Sequence, residues 1–116
     1  MPLRRRIATF ALSVSLLTGA AVALAPSASA VGSSACTVNF PDDNGTVSTN
    51  GVNYRSGPGT SYSSKGLVYK GDRVREYCLT SRGGKLWYYT KLLKKSQGGL
   101  PAGTYGWLRA DMFTQD

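Results

Sequence analysis

The run Gly51-Val52-Asn53-Tyr54-Arg55-Ser56-Gly57-Pro58-Gly59-Thr60 constrains this chain more than any other segment. An extended, alternating stretch breaks at Gly-Pro-Gly, and a second short stretch, Gly66-Leu67-Val68-Tyr69, follows. Proline holds φ at about −65° and has no amide proton for a ladder, while glycine accepts the positive φ of a tight turn. The chain must therefore leave a sheet after Arg55 and re-enter it near Leu67. A reversal of that kind belongs to a small, strongly curved β-structure.

The remaining segments read the same way. Cys36–Phe40 is a brief strand ended by Pro41, and Asp42-Asp43-Asn44-Gly45 has turn chemistry. Thr46–Thr49 alternates weakly, and Asn50-Gly51 is a hairpin-type turn signal. After Lys70-Gly71-Asp72, Arg73–Leu79 alternates polar and apolar with period two. Ser81–Gly84 turns the chain into Lys85–Leu92, whose aromatic content predicts a central strand. Leu93–Gly103 is the longest irregular segment. Thr104–Leu108 is the last main strand, and Arg109–Phe113 is one short helical turn that returns apolar residues to the core. Five to seven short strands punctuated by glycine predict an all-β fold, a small barrel whose closure would remove exposed edges.

Several of these segments, in this order, resemble the bacterial SH3-like (SH3b) domain. Asn53-Tyr54-Arg55-Ser56-Gly57-Pro58 is similar to its opening motif, and Gly66-Leu67-Val68 before Lys70-Gly71-Asp72-Arg73-Val74 to its second step. Trp87-Tyr88-Tyr89, Gly106-Trp107-Leu108 and Asp111-Met112-Phe113 resemble its later strands and its end. The resemblance implies an SH3-like barrel that binds ligands and does no chemistry, of a kind whose relatives often target enzymes to cell walls. It implies a ligand groove beside the turns that Tyr54, Tyr62 and Trp87 flank. Tyr54 departs from the family's small aliphatic residue, the Leu93–Gly103 connection is longer than usual, and the Cys36 segment lies outside the common module as an extra strand or strap.

Ahead of this region stands an export signal. Arg4, Arg5 and Arg6 precede the uncharged apolar stretch Ile7–Leu24, and Ala28-Ser29-Ala30 is a small-residue cleavage box. The reading is a signal peptide at 1–30, an N-terminal extension at 31–45 carrying Cys36, and the barrel domain at 46–116, with no membrane association after cleavage. Residues 31–116 carry eleven Lys and Arg against six Asp and Glu, a formal +5, and suit one small domain. Cys36 and Cys78 are the only cysteines, so export predicts one disulfide between them. The rival for Cys36, a lipoprotein anchor, lacks a Leu-led box before it and would strand Cys78 as a free thiol.

Catalysis is not expected. The chain has no histidine, so Ser-His and Cys-His arrangements are absent, and the carboxylates mostly sit at predicted turns rather than in facing pairs. Asp42, Asp43 and Asn44 read as a solvated turn, since their spacing is not that of a calcium loop, and two cysteines alone do not make a zinc site. No metal or cofactor is therefore expected. Seven Tyr and two Trp are a heavy aromatic load for this length. Alternation along Lys85–Leu92 sends Trp87 and Tyr89 to one side, Leu86 and Tyr88 to the other. Trp107, Tyr77 and Tyr88 are expected in the core, and Tyr54, Tyr62 and Trp87 at the surface. The candidate ligand-binding residues are Tyr54, Arg55, Tyr62, Trp87, Tyr89 and Tyr105, because flat amphipathic rings stack on sugars or clasp extended peptides. Lys85, Lys91, Lys94, Lys95 and Arg82 cluster around one strand and its loops, and their charge favours polyanionic envelope polymers. Nucleic acid is not expected as a partner, because the chain is read as exported and shows no groove-reading motif. Together these features predict a secreted, monomeric, non-catalytic module that binds a cell-wall polymer or an extracellular peptide. The alternatives are a protein-interaction or inhibitor domain presenting Leu93–Gly103, and a wall component acting by charge alone.

Overall fold

A computed structural model describes residues 29–116. The expected leader therefore lies outside the described residues, apart from Ser29 and Ala30. Seven strands form one antiparallel sheet: β1 (Val38–Val47), β2 (Val52–Arg55), β3 (Ser64–Val68), β4 (Arg73–Arg82), β5 (Lys85–Leu92), β6 (Tyr105–Arg109) and β7 (Phe113–Gln115). Their order is β3-β2-β6-β5-β4-β1-β7, so the fold is all-β and the aromatic-rich β5 lies at its centre. The chain leaves the sheet after Arg55 and returns at Ser64, and a 3-10 turn at Ala110–Met112 delivers Phe113 to the core.

The sheet coils until one of its faces closes on itself around Val47, Tyr54, Val68, Val74, Leu92, Leu108 and Phe113. Its ends do not join, because β3 and β7 share no ladder, so the closed cylinder expected from the strand pattern is an open coil with two edges. The Leu93–Gly103 segment covers the β3 edge. Ser96 Oγ donates to the Leu67 carbonyl at 3.1 Å, and Leu100 packs over Gly66. The Asp72 carboxylate accepts the amides of Tyr69 at 2.8 Å and Gln97 at 3.1 Å, which ties that segment to the preceding turn. At the other edge, β7 is three residues long and offers little to pair with.

Two turn signals act differently from their local reading. Asn50-Gly51 does turn the chain, but β1 and β2 form no hairpin, because both edges of β1 are taken by β4 and β7. Asp42-Asp43-Asn44-Gly45 lies inside β1, where the register against β4 shifts between Asn39 and Asp43. The Asp43 carboxylate accepts the Asn44 amide at 2.8 Å, a turn-type bond made inside a bulge without chain reversal. β1 thus crosses the 45/46 boundary, so the N-terminal extension is part of the sheet.

Tyr54 is fully buried, which corrects its expected place at the surface. Its hydroxyl lies 2.8 Å from Thr90 Oγ1 and donates to the Thr104 carbonyl at 3.2 Å. Burial raises its pKa beyond the ordinary tyrosine range. The ring fits because Gly106 lies opposite, where a Cβ would come within 2.5 Å of it.

Candidate functional site

The second face of the sheet, turned away from this core, carries the candidate site. Trp87, Tyr89 and Lys91 of β5 are registered there against Arg109, Trp107 and Tyr105 of β6, and Arg55 of β2 against Trp107. Tyr88 points the other way, onto Phe113 at 5.1 Å, as alternation predicts. Strand β4 changes phase. Its register with β5 slips between Glu76 and Cys78, so Glu76 lies opposite Thr90 whereas Cys78 lies opposite Tyr89. Tyr77 lies on the outer face, as alternation from the core residues Val74 and Glu76 requires, 6.2 Å from Tyr89 and 6.1 Å from Tyr105, which corrects its expected place in the core. The bulge breaks the alternation only beyond Tyr77, setting Cys78 on the outer face opposite Tyr89 as well.

An N-terminal strap, residues 31–37, crosses this outer face. Val31 donates its amide to the Ser56 carbonyl at 2.9 Å, and Trp107 Nε1 donates to the Val31 carbonyl at 2.9 Å. Gly32 lies against the Tyr89 hydroxyl, and Ser33–Ala35 make a 3-10 turn. Cys36 is bonded to Cys78 with a Cα separation of 5.8 Å, and Thr37 pairs with Leu79 and Thr80. The strap therefore spans β2, β6, β5 and β4, and Trp107 beneath it is fully buried. Trp107 is buried as expected, but on the outer face beneath the strap.

Three hollows open among these residues, one of them lined in part by Ser33 of the strap. Two of them, about 190 Å³ and 290 Å³, share Thr60, Trp87 and Arg109, and these adjoining hollows are together termed the trough. Arg55 lines the first of these, and Arg82 and Lys85 the second. Arg109 is held by Asp111 at 2.6 Å, and that bond keeps the Asp111 carboxyl below its usual range. Arg55, Arg82 and Lys85 have no carboxylate partner among the described residues. Arg55 donates to the Tyr62 carbonyl at 2.9 Å, and the Arg82 guanidinium lies 5.7 Å from the Tyr62 ring centre. The third hollow, about 470 Å³, is lined by Tyr77, Tyr89 and Tyr105 together with Ser33, Asn39, Phe40 and Asp42.

The six candidate residues are therefore not brought together. Arg55 and Trp87 line the basic trough, Tyr89 and Tyr105 the tyrosine hollow, and Tyr54 the core, while Tyr62 lies in none of the three. Tyr62 and Trp87, expected at the surface, are 9% and 6% exposed. Tyr62 is sunk because its ring lies flat on Gly57, where even a methyl group would clash. Trp87, although buried, still lines the trough. Lys94 and Lys95 remain exposed on the loop and line none of these hollows. Sequence reasoning missed Arg109, although it lies two residues after Trp107 on one strand and so shares its face. Asn39, Phe40 and Asp42 carried no such signal, because the bulges in β1 and β4 place them. Comparison of the chain with protein-family models, curated proteins and solved structures finds no match.

Proposed function

We propose that this protein is a secreted, non-catalytic binding module of the SH3-like kind that holds an anionic cell-wall polymer, or an acidic peptide of the envelope, along the Trp87 trough. One observation carries the reading. Three cations without carboxylate partners and a fourth, Arg109, surround a shared tryptophan floor in a trough with no acidic lining residue. Side chains in that arrangement meet an extended anion with little rearrangement, and low-dielectric walls strengthen their field. The order of glycine and aromatic motifs along the chain supports the same kind of module. The disulfide fits an oxidising compartment. Binding is preferred to chemistry because the one fully buried carboxyl, Glu76, is on the core side of β4 and lines none of the hollows.

Co-sedimentation of the oxidised protein with insoluble peptidoglycan bearing its anionic polymers tests this reading. Arg82 and Lys85 are exposed, so Arg82→Glu with Lys85→Glu leaves the fold intact while reversing two charges of the trough. The expected result is a loss of affinity of at least about tenfold at low salt, and weakening of the wild type as salt rises. Unchanged sedimentation of the double variant refutes the trough as the seat of binding.

A further inference from the structure

We infer that the tyrosine hollow is a separate seat for a neutral sugar, built by the strap, the first half of β1 and the β4 bulge. Its volume, about 470 Å³, lies in the range of small-molecule sites and accommodates a mono- or disaccharide. Tyr89 and Tyr105 stack nearly parallel, 12° apart with centres 5.4 Å apart, and Tyr77 flanks them at 6.2 and 6.1 Å, its ring tilted 47° and 36° to theirs. Tyr105 is 42% exposed, so the platform is open to a ligand. Flat rings of this kind offer an apolar body to the C–H face of a sugar and a phenol edge to its hydroxyls. Burial, then the neighbouring Tyr105 and Tyr77, raises the pKa of Tyr89 and keeps its hydroxyl a donor. Ser33, Asn39 and Asp42 supply hydroxyl, amide and carboxylate groups at the rim, the mixture of donors and acceptors that adjacent sugar hydroxyls require.

Charge narrows the occupant. A cationic ligand would meet the Lys91 ammonium, 5.9 Å from the Tyr105 ring centre, and Lys65, whose Nζ donates to the Tyr105 carbonyl at 2.6 Å. Asp42, the only carboxylate in the lining, already faces Arg75 at 3.7 Å. Lys91 and Lys65 would draw an anionic ligand only to the edge, since the lining itself has no basic residue, against four in the Trp87 trough. A neutral polyol matches what remains. The two seats share no lining residue, so this one does not depend on the trough being correctly assigned.

Titration of isotope-labelled protein with two neutral probes, the tetrasaccharides of β-1,4-linked N-acetylglucosamine and of β-1,4-linked glucose, tests the seat by amide shifts. Either probe is expected to move the signals of Asn39, Tyr77, Tyr89 and Tyr105 while leaving Arg82 and Lys85 in place, with little dependence on salt. Tyr105→Ala is expected to weaken binding at least about tenfold while the protein still unfolds cooperatively, its urea midpoint lowered only by the lost stacking on Tyr89. Asn39→Ala, on an exposed β1 position, weakens it in the same direction. Arg82→Glu with Lys85→Glu has no effect on these probes, whereas it weakens sedimentation with anionic polymer, so the two seats fail separately. The inference is overturned if neither tetrasaccharide shifts the tyrosine amides. Shifts confined to the Trp87 side, shifts produced by oligolysine instead, or unaltered binding by Tyr105→Ala would overturn it as well.

Discussion

Substituting Tyr54 and Gly106 together tests whether position 54 belongs to the core or to a ligand. Gly106→Ala alone adds a methyl group 2.5 Å from the Tyr54 ring. Overpacking of that kind costs about 1–3 kcal/mol. Tyr54→Leu alone removes the hydroxyl and part of the ring volume. The lost hydrogen bond accounts for about 1 kcal/mol and the void brings the total to about 2–4 kcal/mol. No group is orphaned, because the Thr104 carbonyl keeps the Leu92 amide at 2.9 Å and Thr90 still donates to the Gly106 carbonyl at 3.0 Å. In the double variant the alanine methyl enters space the ring has left, so the penalty of Gly106→Ala disappears. The predicted coupling is about 2 kcal/mol in favour of the double variant. Urea unfolding of the four oxidised proteins, followed by tryptophan fluorescence, measures it. Additivity within about 0.5 kcal/mol would mean that ring and glycine do not meet, and would refute the core assignment.

Glu76 predicts a pH dependence. Its side chain is fully buried, one oxygen accepts from Gln115 at 2.6 Å, and the other has no partner. Burial, and then Asp43 and Asp116, raise its pKa against the opposing Gln115 bond. A raised folded-state carboxyl favours folding most below the ordinary glutamate range and loses that contribution as pH rises through the folded value. The urea midpoint should therefore fall over that window in the wild type relative to Glu76→Gln, and a constant difference between the two would disprove it. Asp111 and Asp116, lowered by Arg109 and Arg73, act with the opposite sign at lower pH in both proteins. Reduction of Cys36–Cys78, which closes a separation of 42 residues, should cost up to about 4 kcal/mol. It should also release the strap and shift Trp107 emission to the red, and unchanged emission on reduction would count against the strap as the cover of Trp107.

Much of the strand pattern could be read from residue order, because alternation and glycine or proline punctuation are local properties. Pro58 forced the exit after Arg55, the aromatic run Lys85–Leu92 marked the central strand, and two cysteines in an otherwise thiol-free chain left a single pairing. The candidate site was legible only in part. Tyr89, Tyr105, Arg55 and Trp87 do lie on one face, as period-two geometry requires, and Arg109 could have been added by the same count. Tyr54 and Tyr62 misled because a ring's burial depends on the surface opposite it, Gly106 for one and Gly57 for the other.

Local chemistry thus decided that this chain alternates, where it turns and which residue types it offers a ligand. Tertiary structure decided which edges meet, because β1 is claimed by β4 and β7 rather than by its neighbour in sequence. It also set the phase of β4 through a one-residue bulge, laid the strap across the outer face, and kept a basic trough and a tyrosine hollow without a shared lining residue. Those outcomes rest on contacts between residues far apart in the chain, and no short window of sequence contains both partners.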